Sequence, residues 1–173
     1  MAKSIEEIYQ EARKLIGTES EPTQGRYPVE YEPIRRFCHM VDDTNPLFLD
    51  PEYARTTKYG GVICPSLLVG NLGVPGPWPP SAQPSLHSVP SPGDRLINLT
   101  TEWEFLRPVR IGDRISSKTR IADIYIKPIR LDPKAFWIQT ERVFTNQDGE
   151  VIAVYRNLIL RHRTPEQIRE AGE

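Results

Sequence analysis

Cysteine and histidine are scarce in this chain. Its 173 residues hold two cysteines, Cys38 and Cys64, and three histidines, His39, His87 and His162. They are scattered and contain no C-x-x-C, so the ligand spacing of a zinc site is missing and no metal is expected. A disulfide between Cys38 and Cys64 is disfavoured in a reducing compartment. Excess charge is also missing: 22 basic against 23 acidic residues leave a net charge of −1. That balance gives no electrostatic footprint for nucleic acid or an anionic membrane. No apolar run approaches the roughly 20 residues that span a bilayer. The first residues, M-A-K-S-I-E-E, are polar and acidic and do not read as a secretory signal. The expected location is the cytoplasm.

What is present fits a globular chain: 38% hydrophobic and 26% charged residues. The length suits one domain with a real core. Residues 1–25 read as an N-terminal helix and linker. In the helix, residues 4–16, Ser4 and Glu7 form a capping box and Ile5, Ile8, Ala12, Leu15 and Ile16 share a face. Residues 26–31 read as a short strand. Residues 32–41 read as a second helix with Ile34, Phe37, Cys38 and Val41 inward, which puts His39 off that stripe. Pro46 and Pro51 prevent continuation, and 51–56 reads as one more helical turn. After Gly60-Gly61 and the apolar run Val62-Ile63-Cys64, residues 66–72 read as a buried helix.

Proline is plentiful, and Pro75, Pro77, Pro79, Pro80, Pro84, Pro90 and Pro92 crowd residues 74–93. No regular element survives that density, and a long loop carrying Trp78 and Leu86 reads as a lid or interface loop. From Ile97 the apolar period becomes two. Ile97, Leu99, Thr101, Trp103 and Phe105 predict a half-buried strand. Strands at 114–126, 135–145 and 150–161 follow, the last two joined across Asp148-Gly149. In the 114–126 strand Ile115, Ser117, Thr119, Ile121 and Tyr125 share a face. Thr164 to Gln167 opens a C-terminal tail helix over 164–173 with a capping box. Helices followed by a four-strand antiparallel meander indicate α+β, and the sheet's uncovered face predicts dimerisation.

The chemistry concentrates in residues 37–68. Asp43 and Asn45 flank Thr44 just before Pro46. An aspartate there is a candidate general acid or base, with Asn45 orienting it or a substrate. The plainer reading is a helix stop with an Asx turn. Cys64 precedes a helix start, which favours a thiolate, but its Val-Ile-Cys-Pro setting suits a buried small apolar residue. Arg107 and Arg110 beside Gly112 are either contacts for a coenzyme A phosphate or a solvated turn.

The stretch V-D-D-T-N-P-L-F-L-D-P-E-Y-A, followed by Y-G-G-V-I-C-P-S-L-L, resembles the MaoC-like (R-specific) enoyl-thioester hydratase/dehydratase family. R-P-V-R-I-G-D-R and the last strands resemble the later part of that domain, so the similarity covers about residues 29–161. The resemblance implies a hot-dog fold over 26–163, with an antiparallel sheet wrapped around a central helix. It implies an acyl thioester of coenzyme A or acyl carrier protein as substrate and no other cofactor. By the same resemblance Asp43 matches the catalytic aspartate and Asn45 the pocket asparagine. Phe48 stands at the catalytic histidine position. Pro65-Ser66 replaces the His-Gly before the buried helix, which leaves the Ser66 N–H to polarise the thioester carbonyl.

Three readings follow from Phe48, which cannot exchange a proton. The chain is a non-catalytic-type (FAS1-like dehydratase) subunit, shaping an acyl site with Asn45, Phe48, Cys64 and Ser66 while a second hot-dog subunit supplies the complete Asp/His pair. Or it is self-sufficient, with His39 or His87 as the proton carrier beside Asp43; the expected assembly is a homodimer or a hetero-oligomer with a second hot-dog subunit. Or it is a hot-dog thioesterase or an acyl-thioester binding protein.

Overall fold

The computed structural model describes residues 3–73 and 89–171. Helix α1, Ile5–Arg13, carries the expected capping box, with Ser4 accepting from the Glu7 N–H and Glu7 accepting from the Ser4 N–H. The helix stops at Arg13, three residues before its predicted end. Leu15 and Ile16 lie in the following turn, which Gly17 closes at φ +83°. The predicted strand at 26–31 is not one. The strand is β1, Thr23–Gln24, which pairs with Ser117 and Ser116. Val29 is held instead by single bonds to Asp113 and Gly112, and Tyr31 already belongs to α2, Tyr31–Met40.

Helix α2 buries Ile34 and Cys38 as its period requires. Val41 leaves the apolar stripe: it is the C-cap, and it is 49% exposed. Two short helices follow, α3 at Pro46–Leu49 and α4 at Pro51–Thr56. The first was unexpected. Each proline starts a helix here, where its missing N–H has no partner to lose. Residues Ser66–Leu68 form a 3₁₀ turn that runs into α5, Val69–Leu72. Leu68 and Val69 are buried, but Leu67 is 60% exposed, so this segment is not buried all round.

Four long strands follow: β2 Arg95–Phe105, β3 Ser116–Ile126, β4 Phe136–Thr145 and β5 Val151–His162. Helix α6, Pro165–Glu170, ends the description with its Thr164–Gln167 capping box. The sheet order is β1-β3-β4-β5-β2, antiparallel throughout. It is therefore not a meander, because β2 lies beside β5 at the edge and not beside β3. The β2–β3 connection crosses the end of the sheet, and there Val109 accepts from the Cys64 N–H at 2.8 Å.

Two bulges break the strand alternation. One, between Asn98 and Thr100, separates Ile97 from the face of Trp103 and Phe105. The other, between Ile121 and Asp123, turns Ile124 inward in place of Tyr125. Both correct the simple alternation read from sequence, because an inserted residue reverses the faces beyond it.

One face of the sheet carries two apolar clusters. Helix α2, residues 62–69, Ile115, Phe144 and Ile152 build one. Helix α1, Val89, Ile124, Phe136, Ile138 and Ile159 build the other. Strand β2 is not half-buried: nearly all of it is exposed, including Leu96, Ile97, Leu99 and Phe105. Among the described residues no helix is long and apolar enough to cross a membrane.

Candidate functional site

The turn after α2 is built by local hydrogen bonds. Asp42 adopts φ +56°, the left-handed conformation that Asp tolerates better than most residues. The Asp43 N–H then reaches back to the Cys38 carbonyl at 2.8 Å, closing a Schellman-type stop with Asp42 in the usual glycine position. The Asp43 carboxylate accepts the Asn45 N–H at 3.0 Å. The Asn45 side-chain oxygen in turn caps α3 by accepting from the Leu47 N–H at 3.0 Å. Asp50 caps α4 through the Glu52 and Tyr53 amides. Phe48 is half-buried and packs with Leu47 and Leu49 against the α2 cluster.

The second half of the predicted site lies on residues 62–66. An isolated bridge joins Ile63 to Arg110 and fixes this ribbon to the crossing connection. A cavity of about 240 Å³ opens beside it, lined by Tyr59, Ile63, Cys64, Ser66 and Phe105 among others. Cys64 and Ser66 therefore share a cavity. Asp43, Asn45, Phe48 and His39 do not line it. Both thiols are free and buried. Burial pushes the Cys64 thiol up to about 12, and burial followed by the Asp43 charge raises that of Cys38. Neither is set up as a nucleophile, since the thiolate is the reactive form.

His39 is exposed on the last turn of α2, with Nδ1 3.4 Å from an Arg35 nitrogen. Among the described residues the hydrogen bond to the Asp43 carboxylate comes from the Asn45 backbone N–H and not from a histidine. His87, and most of the loop read as a lid, lie outside the described residues. Arg107 pairs with Glu150 at 3.4 Å, while Arg110 donates to the Tyr59 carbonyl.

Sequence reasoning missed a buried cation, Arg163, and a part-buried one, Arg142. The Arg163 guanidinium and N–H meet Asp132 at 2.8 Å each, and the Lys134 N–H adds 2.9 Å. Arg142 points into the sheet's inner face and donates to Ser117 Oγ and to the Gly73 carbonyl at the end of α5. Burial pushes its guanidinium pKa down. Arg142 sits opposite Thr119 and Tyr155 on neighbouring strands, a pairing no local sequence signal announces.

Curled antiparallel strands, helices on one face, and a ribbon leading into a short helix beside a cavity define a hot-dog dehydratase-type domain. The family model for the FAS1-like dehydratase domain region matches residues 14–155, and the chain belongs to that family. It is 30% identical over 155 residues to a probable enoyl-CoA hydratase alpha subunit of Thermomonospora curvata, covering 84% of this chain. The chain spans 49% of that relative's length. Among solved structures, the ChsH1-ChsH2 complex of Mycobacterium tuberculosis has a TM-score of 0.76 at 20% identity, covering 94% of this chain and 98% of that one. The HadBC (3R-hydroxyacyl-ACP dehydratase) complex of the same organism has a TM-score of 0.57 at 18% identity, covering 82% and 95%. Relatives and neighbours thus include enoyl-CoA hydratases, a 3-hydroxyacyl-ACP dehydratase and complexes of two hot-dog subunits.

Proposed function

We propose that this chain is a subunit of an enoyl-thioester hydratase/3-hydroxyacyl-thioester dehydratase. In this reading it shapes the acyl site while a second hot-dog subunit supplies the complete Asp/His pair. The observation that carries it is Phe48, an apolar ring packed on the core where the family resemblance places a proton carrier. The reaction is reversible addition of water across the C2–C3 double bond of a 2-enoyl thioester. Hydroxide oxygen bonds to C3, the π electrons move toward the carbonyl as an enolate, and a proton is delivered to C2. Such a step needs one group to take the water proton and one to return it. Among the described residues the Asp43 carboxylate accepts from the Asn45 N–H and from no histidine.

The thioester carbonyl takes the developing charge, so the reaction itself calls for no metal or redox cofactor. The N–H of Ser66, a residue that lines the cavity, is the donor this chain would offer to that oxygen. The exposed apolar edge strand β2 supports the partner: it leaves backbone groups and Leu96, Ile97 and Leu99 for another chain to cover.

The test gives crotonyl-CoA to the chain together with its partner and follows loss of the conjugated enoyl absorbance. Hydration is expected. Release of free coenzyme A without hydration would support the thioesterase reading instead.

A further inference from the structure

A second groove adjoins the ribbon that carries Cys64 and Ser66, at its Gly61–Val62 end. It has a volume of about 450 Å³ and is lined by Tyr31, Pro51, Arg55, Gly61, Val62, Arg110 and Ile111. The ribbon divides between the two spaces: Gly61 and Val62 line this groove, while Ile63, Cys64 and Ser66 line the cavity described above. The two arginines come from unrelated parts of the chain. Arg55 ends α4, and Arg110 is fixed by its bridge to Ile63. Neither guanidinium has a carboxylate within ion-pair distance among the described residues. Asp113, the acid next to Arg110, accepts the Arg110 backbone N–H at 2.7 Å and a Gln147 amide at 3.2 Å. The phenol of Tyr31 donates to the Leu49 carbonyl, so it does not neutralise the groove either.

The Arg110 guanidinium is also oriented, since it donates to the Tyr59 carbonyl. That leaves other N–H groups on a guanidinium whose direction is set. A side chain at Gly61 would meet nothing within 4 Å, so the groove is open at that lining position. Two guanidinium groups without carboxylate partners flanking one open groove suit a phosphate-bearing ligand, because the planar fork matches phosphate oxygens.

We infer that this groove binds the diphosphate of a coenzyme A thioester, with Arg55 and Arg110 as its ligands. This rests on the acyl-thioester reading of the chain. The pantetheine arm then passes over the ribbon at 61–64 and delivers the thioester to the cavity at Ser66.

Calorimetric titration of the full chain with coenzyme A, and separately with pantetheine, which has no phosphate, tests the groove without any turnover. The wild-type chain is expected to bind coenzyme A about tenfold or more tighter than pantetheine. Arg55→Gln with Arg110→Gln should bring coenzyme A down to the pantetheine level while leaving pantetheine binding as it was. Equal affinity of the wild type for both probes overturns the inference. So does coenzyme A binding that survives the double substitution. The single variant Arg55→Gln, which disturbs no backbone contact, keeps the test valid if the double variant fails to fold. Binding that depends on the arginines in a complex that hydrates nothing would keep the groove and remove the hydratase reading. Hydration without arginine-dependent binding would do the reverse.

Discussion

The Asn45 N–H donates to the Asp43 carboxylate at 3.0 Å, while the side-chain oxygen of Asn45 caps the next helix. The acid that the sequence resemblance matches to a catalytic aspartate is therefore built into a turn. Asp43→Ala should cost about 1 kcal/mol of stability, the contribution of one hydrogen bond. In the assembled complex it should lower the hydration rate by less than about tenfold, below the usual effect of losing a general acid or base. Steady-state kinetics check this, and a loss of about a hundredfold or more would give Asp43 a proton-transfer role.

The Asp132–Arg163 pair should dominate the acid sensitivity of the fold. Burial raises the Asp132 carboxyl, but bonds from the Arg163 guanidinium, the Arg163 N–H and the Lys134 N–H outweigh it and leave it below its ordinary value. Protons then bind more tightly to the unfolded state. The stabilisation is present above the ordinary carboxylate pKa of about 3.9 and is lost as pH falls below it. Urea midpoints measured between neutral pH and pH 3 should fall most steeply at the acid end, and Asp132→Ala should remove that component. The same substitution should cost about 3–5 kcal/mol, because it takes the carboxylate from a buried ion pair.

Cys64 should be chemically silent. With its pKa pushed up to about 12 and its side chain buried, almost no thiolate exists near neutral pH. A disulfide-exchange reagent at pH 8 should label neither Cys38 nor Cys64 in the native chain and both after denaturation. Rapid native labelling of Cys64 would show that the ribbon at 62–64 opens.

Leu99 sits at the β2 bulge, exposed on the edge strand. Leu99→Lys should leave the chain's own stability within about 0.5 kcal/mol, as exposed substitutions do. It should weaken association with the second subunit, measured by light scattering or size-exclusion chromatography. Unchanged assembly would move the interface away from β2.

The parts of this fold legible in the sequence are those decided locally. Ser4 with Glu7, Thr164 with Gln167, and Asp148-Gly149 each bring their partners within a few residues, and each forms as read. Ile34 and Cys38 followed the helical period for the same reason. The misses are long-range. The placement of β2 beside β5 depends on pairing residues more than fifty apart, such as Trp103 with Tyr155. A bulge at Leu99 leaves no mark in an alternating pattern. Asp132 and Arg163 are 31 residues apart and announce nothing until the strands bring them together. In the candidate site, the capping role of Asn45 was legible as an Asx turn. The Arg55–Arg110 groove was not, because it needs α4 and the β2–β3 connection to meet.

The most direct measurement compares crotonyl-CoA hydration by the purified chain alone with hydration by the chain joined to the proposed second hot-dog subunit. On the proposal that Phe48 stands where the resemblance places a proton carrier, the isolated chain should show no hydration above background and the complex should be active. Full activity of the isolated chain, lost on His39→Ala or His87→Ala, would contradict the account.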